Sequence, residues 1–214
     1  APVVQPDGQL PGRAGADGAV AAPDAERLTA GLPSPEYAAA ARKALADFSL
    51  DADDLRLEIG EGRVAAFAGK PVTLASASGA RATLTPGGGR LVESVNGVSR
   101  GAATLALSGG GLPELTLAAS DWRADARGFA SPVTLTGALD VPPAQGISAT
   151  IKGQARAAGG VFDFRLAGCT PVKVAAIEAG EVGERPIQDI ALDVCPAAAP
   201  LVRVANGRWE AQAR

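Results

Sequence analysis

The chain contains no histidine and only two cysteines among its 214 residues. Without histidine it lacks the commonest general base and metal ligand, and Ser-His and Cys-His nucleophile pairs are excluded. Two cysteines are too few for a four-ligand zinc site in a chain without histidine. We therefore expect no enzyme, no bound metal and no cofactor.

Aromatic residues, net charge and long apolar runs are scarce as well. Aromatics make up 4% of the chain, so any core must be built from Leu, Val, Ile and Ala. The net charge of −3 gives no electrostatic case for binding nucleic acid or an anionic membrane surface. No apolar run reaches the ~18 residues from which a membrane-spanning helix is inferred.

The residues that are present divide the chain into three segments. Residues 1–33 are rich in Pro, Gly, Ala and Asp without periodicity, which predicts a flexible linker or mobile segment, part of which can lie along the folded body. Residues 34–49 predict one short amphipathic helix, because Ser34 suits an N-cap and Pro35 suits the first helical position. Its predicted apolar face consists of Tyr37, Ala41, Leu45 and Phe48.

Residues 50–214 change to a period of two and predict a β-rich domain. Tight turns such as Asn96-Gly97 separate the short apolar runs, so neighbouring strands are expected to be antiparallel. The chain starts at Ala1, and Trp209 to Arg214 reads like a strand cut short. We therefore expect a fragment of a longer chain.

The clearest alternation runs from Leu112 to Val174. Side chains of a strand point to opposite faces in turn, so this pattern predicts one apolar and one polar face. The fold class is thus all-β, as an antiparallel meander. Its apolar face could either line an open groove or fill a closed β-sandwich. The predicted apolar positions are Leu115, Leu117, Val133, Leu135, Leu139, Ile151, Phe162, Phe164, Leu166, Val172 and Val174.

Two features resemble known binding sites only in part. Asp51, Asp53 and Asp54 resemble the start of a calcium loop, but its required Gly and Glu are replaced by Arg56 and Gly62. The run Gly60 to Ala65 matches a dinucleotide fingerprint, but Pro71 leaves no room for the helix that must follow. We interpret both as turns.

A third group of charges has an ordinary explanation. Asp121, Arg123, Asp125 and Arg127 alternate along one predicted strand, which places them on its polar face. There, opposite charges can pair between neighbouring strands, so no acid–base site is expected.

The two cysteines each lie beside a strand end that proline marks. Cys169 is followed by Thr170-Pro171, and Cys195 by Pro196. In an oxidising compartment a disulfide between them would tie two strand ends together, which we favour. Two reduced core thiols are the alternative.

Three stretches resemble one protein family. These are Leu105 to Phe129, Phe162 to Cys169, and Leu192 to Pro196 followed by Pro200 to Arg203. They are similar to the AsmA-like and YdbH/TamB-type envelope proteins of Gram-negative bacteria, and most similar to the YdbH-type branch.

The resemblance implies bridge-like lipid transport between the inner and outer membranes. It implies a long curved β-sheet that forms an apolar groove in the periplasm, in which the eleven apolar positions would line the path of phospholipid acyl chains. The partners would be membrane components of the parent assembly, and the parent protein would be anchored in the inner membrane. A structural or adhesive extracellular β-sandwich module without lipid transport is the alternative function.

Overall fold

The computed structural model describes residues 14–29, 32, 34–178, 186–205 and 208–212. These residues form two short helices and one open antiparallel sheet of sixteen strands. The helices are α1 (Ala22–Thr29) and α2 (Pro35–Ala46). The strands are β1 (Ala14–Gly18), β2 (Phe48–Ala52), β3 (Leu55–Gly60), β4 (Arg63–Ala68), β5 (Val72–Ser76), β6 (Arg81–Pro86), β7 (Arg90–Val95), β8 (Val98–Ser108), β9 (Glu114–Asp125), β10 (Gly128–Val141), β11 (Ala144–Ala158), β12 (Val161–Leu166), β13 (Thr170–Ile177), β14 (Ile187–Val194), β15 (Val202–Ala205) and β16 (Arg208–Ala211).

The centre of the sheet is a ribbon of its four longest strands, β8 to β11. Each pairs with the next through a hairpin, as expected for a meander. Both outer strands of this ribbon are long enough to pair with two shorter strands in series. Along β8, β6 covers Ala103–Ser108 and β7 covers Val98–Arg100. Along β11, β13 covers Ala144–Ala149 and β12 covers Gly153–Ala158.

Four arms therefore extend from the central ribbon. At the end marked by Ser108 and Val141, which we call the helix end, the arms are β6-β5-β2-β1 and β13-β14. At the opposite end they are β7-β4-β3 and β12-β15-β16. In the described residues, the strand order departs from a simple meander in the arms. The cause is that β8 and β11 each pair with two shorter strands along the same edge.

The predicted helix is present and ends earlier than expected. Ser34 caps α2, and its Oγ accepts a hydrogen bond from the Glu36 N–H at 3.2 Å. Asp47 is extended, with φ −156° and ψ 107°, and this ends the helix before Phe48. The prediction that Phe48 completes the apolar face of the helix is therefore wrong, since Phe48 is the first residue of β2.

The structure also contains two elements within the segment predicted to be a linker. β1 pairs with β2, and the aromatic ring of Phe48 lies over Gly18, where a Cβ atom would come within 2.7 Å of it. α1 follows, and the Val20 N–H donates to the carbonyl of Leu45 at the end of α2. These two elements were not predicted because the stretch has no local periodicity and its elements are stabilised by partners distant in sequence.

Large apolar side chains are not sealed in a core. Among the described residues, eight apolar side chains are buried, namely seven alanines and Val174. Apart from Val174, the large aliphatic and aromatic side chains that the structure describes in the strands are half-buried or exposed. The fold is thus an open sheet and not the closed sandwich that the sequence left as an alternative.

Candidate functional site: the apolar face

A row of large aliphatic side chains crosses six neighbouring strands of the sheet. Leu135 on β10 lies opposite Leu117 on β9 and Ile151 on β11. Directly opposite residues share one face, and their side chains are in contact distance. The complete central row is Val72, Leu84, Leu105, Leu117, Leu135 and Ile151. We call the side of the sheet that carries this row the apolar face.

Two further rows flank the central row. On the side of the helix end, the row consists of Leu50, Leu74, Ala82, Leu107, Leu115, Gly137, Ala149, Val172 and Leu192. It crosses nine strands, which corresponds to about 38 Å at a strand spacing of about 4.8 Å. On the other side, the row is Pro86, Ala103, Ala119, Val133, Gly153 and Leu166. The apolar face is therefore continuous across the central ribbon and into its arms.

The register places all eleven predicted apolar positions on this one face. Val172 lies opposite Ala149, and Phe164 lies opposite Ala155, so the two arms of β11 continue the same surface. Leu117 and Phe162 are each 37% exposed, whereas Val174 is buried. The other eight positions are half-buried. The alternation in the sequence correctly predicted which residues lie on this face. Most of their side chains are not fully covered by other described residues.

The apolar face also contains residues that the sequence analysis did not assign to it. Leu84, Leu105 and Leu107 alternate as clearly as the later strands, but the prediction was confined to residues 115–174. Trp122 was missed for a different reason. A bulge shifts the register of β9 between Ala119 and Trp122, and within it Asp121 has a φ of 54°. This turns Trp122 towards the apolar face, where its ring lies 6.3 Å from that of Phe129.

The opposite face is polar along the same strands. Thr136 lies opposite Thr116 and Thr150, and its hydroxyl is 3.2 Å from that of Thr150. All three threonines are exposed. Each is the chain neighbour of a member of the central row, so the two faces can be compared position by position.

A charged row crosses ten strands on this polar face. Its members, with two intervening alanines omitted, are Glu58, Glu93, Arg100, Arg123, Arg156, Asp163, Arg203 and Glu210. Glu93 is paired with Arg90 at 2.7 Å and with Arg63 at 3.2 Å. These charges keep one side of the sheet solvated and leave the other side apolar.

The two helices lie over the helix end of the apolar face. Ala41, Ala44 and Leu45 of α2 approach Leu74, Ala82 and Leu107 of the flanking row. Between them lies a cavity of about 230 Å³ whose surface is almost entirely apolar. The Asp140 N–H donates to the hydroxyl of Tyr37 at 2.6 Å, which fixes the start of α2 to the β10–β11 hairpin.

The stretches that partly resemble a dinucleotide fingerprint and a calcium loop lie in or beside turns, and the charged group from Asp121 to Arg127 forms ion pairs. Gly60 to Gly62 belong to the β3–β4 hairpin, in which Gly60 lies opposite Arg63. Asp53 is ion-paired with Lys70 at 3.3 Å. Asp125 lies 3.9 Å from both Arg123 and Arg127. Within the described residues, no group of three or more Cys, Asp or Glu side chains is arranged to hold a metal ion.

Cys169 and Cys195 form a disulfide, as predicted. Cys169 precedes β13 and Cys195 follows β14, so the bond closes the end of this strand pair at Thr170 and Val194. This point lies beside the fork at which β12 and β13 separate along β11. The disulfide therefore joins the β12–β13 and β14–β15 connections, through which the chain passes between the two arms that continue the apolar face.

No family model matches the chain, and the comparisons with curated proteins and with solved structures found no match. In the described part of the chain, neither helix is long and apolar enough to cross a membrane. The candidate site consequently rests on the geometry of the sheet.

Proposed function

We propose that this sheet shields the acyl chains of phospholipids on its apolar face, as a segment of a longer protein that carries lipids between the inner and outer membranes of a Gram-negative envelope. The observation that supports this most strongly is the continuous apolar face, which is only half-buried among the described residues. Large exposed apolar surfaces mark sites for ligands, membranes or protein partners. A hydrocarbon chain is the occupant whose chemistry needs nothing except such a surface.

The dimensions of the face suit more than one acyl chain. A bilayer core is about 30 Å thick, so the chains of one leaflet extend about 15 Å. The flanking row alone crosses about 38 Å. Exposing each methylene to water costs about 0.8 kcal/mol, so a sixteen-carbon tail needs roughly 13 kcal/mol of shielding along its whole length. A continuous apolar face can supply this shielding, whereas isolated pockets cannot.

Two further observations support the compartment and the mode of action. A disulfide is typical of proteins in oxidising compartments, and the periplasm is one of them. Lipid that slides along an apolar surface requires no general base, nucleophile or metal, and we propose none. The phospholipid is the ligand, and the membrane components of the parent assembly are the partners of this segment.

A structural or adhesive role is the alternative function. In that case the apolar face would pack against another protein surface. The exposed Leu57 and Ile59, at 50% and 58%, lie on β3, a strand that pairs only with β4 in the described part of the chain. An adhesive module would use such an edge for contact and would carry no lipid.

The proposal is tested by measuring bound phospholipid in the chain purified without detergent from the periplasm of a Gram-negative host. We expect lipid in the unmodified protein and about tenfold less in Leu135→Arg, because a charge in the central row interrupts the apolar path. Thr136→Arg is the matched control, since it places the same side chain on the opposite face, and it should retain the lipid.

The stability of the same variants provides an independent readout. On an open face the arginine can extend its stem and reach water, so Leu135→Arg should cost about 1–2 kcal/mol of unfolding free energy. In a face covered by another protein layer it would be a buried unpaired charge, and the domain would unfold. Absence of lipid from every sample, together with unfolding of Leu135→Arg, would support the structural alternative.

A further inference from the structure

The cavity under α2 is lined as a hydrocarbon site would be. Its walls are Ala41, Ala44 and Leu45 on the helix and Leu74, Ala82 and Leu107 on the sheet. Arg81, which is exposed, and two hydroxyl groups also border it, and both hydroxyl groups have partners within their own segments. Thr29 Oγ1 donates to the carbonyl of Ala25 at 2.9 Å, and the Ser76 hydroxyl is bonded to that of Ser78 at 3.0 Å. Neither hydroxyl therefore requires a bound water.

The size of the cavity limits what can fill it. Its volume of about 230 Å³ exceeds the roughly 150 Å³ of an apolar cavity that stays dry and binds benzene. It is far too small for a helix or strand of a partner protein. A short stretch of hydrocarbon is the guest that matches both its volume and its lining.

The cavity lies next to the proposed lipid path. Leu107 lies two residues from Leu105 of the central row on the same strand, and Ala82 is likewise two residues from Leu84. A chain lying along the central row can therefore turn beneath α2 without crossing a polar surface. At the start of α2, the hydrogen bond from the Asp140 N–H to the Tyr37 hydroxyl holds the helix in place over the sheet.

We propose that this cavity receives the terminal methylenes of an acyl chain, so that α2 acts as a stop at the helix end of the apolar face. This inference rests on the proposed function and adds a defined position for the methyl end of the ligand. The carboxyl or headgroup end then lies away from the helices.

Photolabelling of the full chain with two synthetic palmitic acids tests this arrangement. One carries a diazirine at the methyl end and the other carries it next to the carboxylate, and labelled peptides are mapped by mass spectrometry. The methyl-end reagent should label α2 and β8 near Leu107, and the carboxylate-end reagent should not. Equal labelling of α2 by both reagents would overturn the inference.

Cavity-filling variants make the test specific. Ala82→Leu and Ala44→Leu should displace at least two methylenes of the guest and reduce methyl-end labelling of α2 by about tenfold or more. Ala39→Leu, at an exposed position of the same helix, should leave labelling unchanged. The unfolding midpoint of each variant shows whether it is folded. If one of the two filling variants is unfolded, the other variant and the labelling pattern of the unmodified chain still show whether the methyl end lies under α2.

The remaining outcomes separate this inference from the proposed function. Labelling of the central row with none at α2, or undiminished labelling in the folded filling variants, would overturn the helix stop and leave the proposed function standing. Absence of labelling by both reagents anywhere on the apolar face would overturn both.

Discussion

At the scale of single residues, the backbone at Asp121 decides which side chains of β9 lie on the apolar face. The alternation placed Leu117, Leu135 and Ile151 on one face, and their register confirms it. Counted on from Leu117 through β9, the same rule would place Trp122 on the polar face and Arg123 on the apolar one. Alternation among the charges from Asp121 to Arg127 instead predicted a polar face for those residues. The bulge at Asp121 reverses the count from Leu117, because one extra residue in one strand shifts every later side chain to the other face. Two features of the sequence pointed to the bulge: a short polar residue that tolerates positive φ at Asp121, and the charges that follow it.

The bulge leads to a prediction about Asp121. Asp121→Val should lower the free energy of unfolding by about 1–2 kcal/mol, because a β-branched residue is strained in the left-handed region. Asp121→Gly adopts this conformation without strain and should remain within about 0.5 kcal/mol of the unmodified chain. Urea denaturation followed by tryptophan fluorescence measures both. If the two variants lose the same stability, the positive φ is not what Asp121 contributes.

At the scale of elements, the sequence predicted strands and turns with a clear local pattern. It did not predict the elements that are stabilised by contacts distant in sequence. Asn96 and Gly97 form the predicted turn between β7 and β8, both with positive φ. β1 and α1 escaped prediction, since their stability depends on pairing with β2 and on contact with α2 and not on local periodicity. The fork along β11 was not predictable either, because nothing local in a sequence states that two strands will share one edge.

The attachment of α2 gives a prediction at this scale. Tyr37→Phe removes the acceptor of the Asp140 N–H and should cost about 0.5–1.5 kcal/mol. The loss should appear as faster amide exchange within α2, while the central ribbon stays protected. Thr136→Val, which removes a hydrogen bond on the polar face, should leave exchange in α2 unchanged. Equal exchange in all three proteins would mean that other contacts hold the helix.

The disulfide gives a second prediction for the elements. Replacing both Cys169 and Cys195 by alanine reopens a loop of 26 residues and should cost about 2–4 kcal/mol of unfolding free energy. We expect local loss of protection in β13 and β14 first, since the bond closes the end of that pair. Alkylation of the never-reduced native protein should find no free thiol. Two alkylated thiols would contradict both the bond and the argument for an oxidising compartment.

At the scale of the whole molecule, the open sheet is the feature that carries the functional argument. A closed sandwich would bury the central row to native density, whereas here Leu117 remains 37% exposed and its neighbours in the row are half-buried. The charged row on the polar face and the continuous apolar face together give the sheet two chemically distinct sides. Sequence could predict both sides, but it could not decide between groove and sandwich, since each requires one apolar face per strand.

The most direct test of the central claim compares the two faces at adjacent positions. A photo-crosslinking residue is placed in turn at Leu117, Leu135 and Ile151 on the apolar face, and at Thr116, Thr136 and Thr150 on the polar face. The protein is irradiated in Gram-negative cells, and attached lipid is identified by mass spectrometry. Capture of phospholipid from the three apolar-face positions and from none of the threonine positions is the predicted result. Equal capture from both faces, or no capture from either, would contradict a role of the apolar face in holding acyl chains.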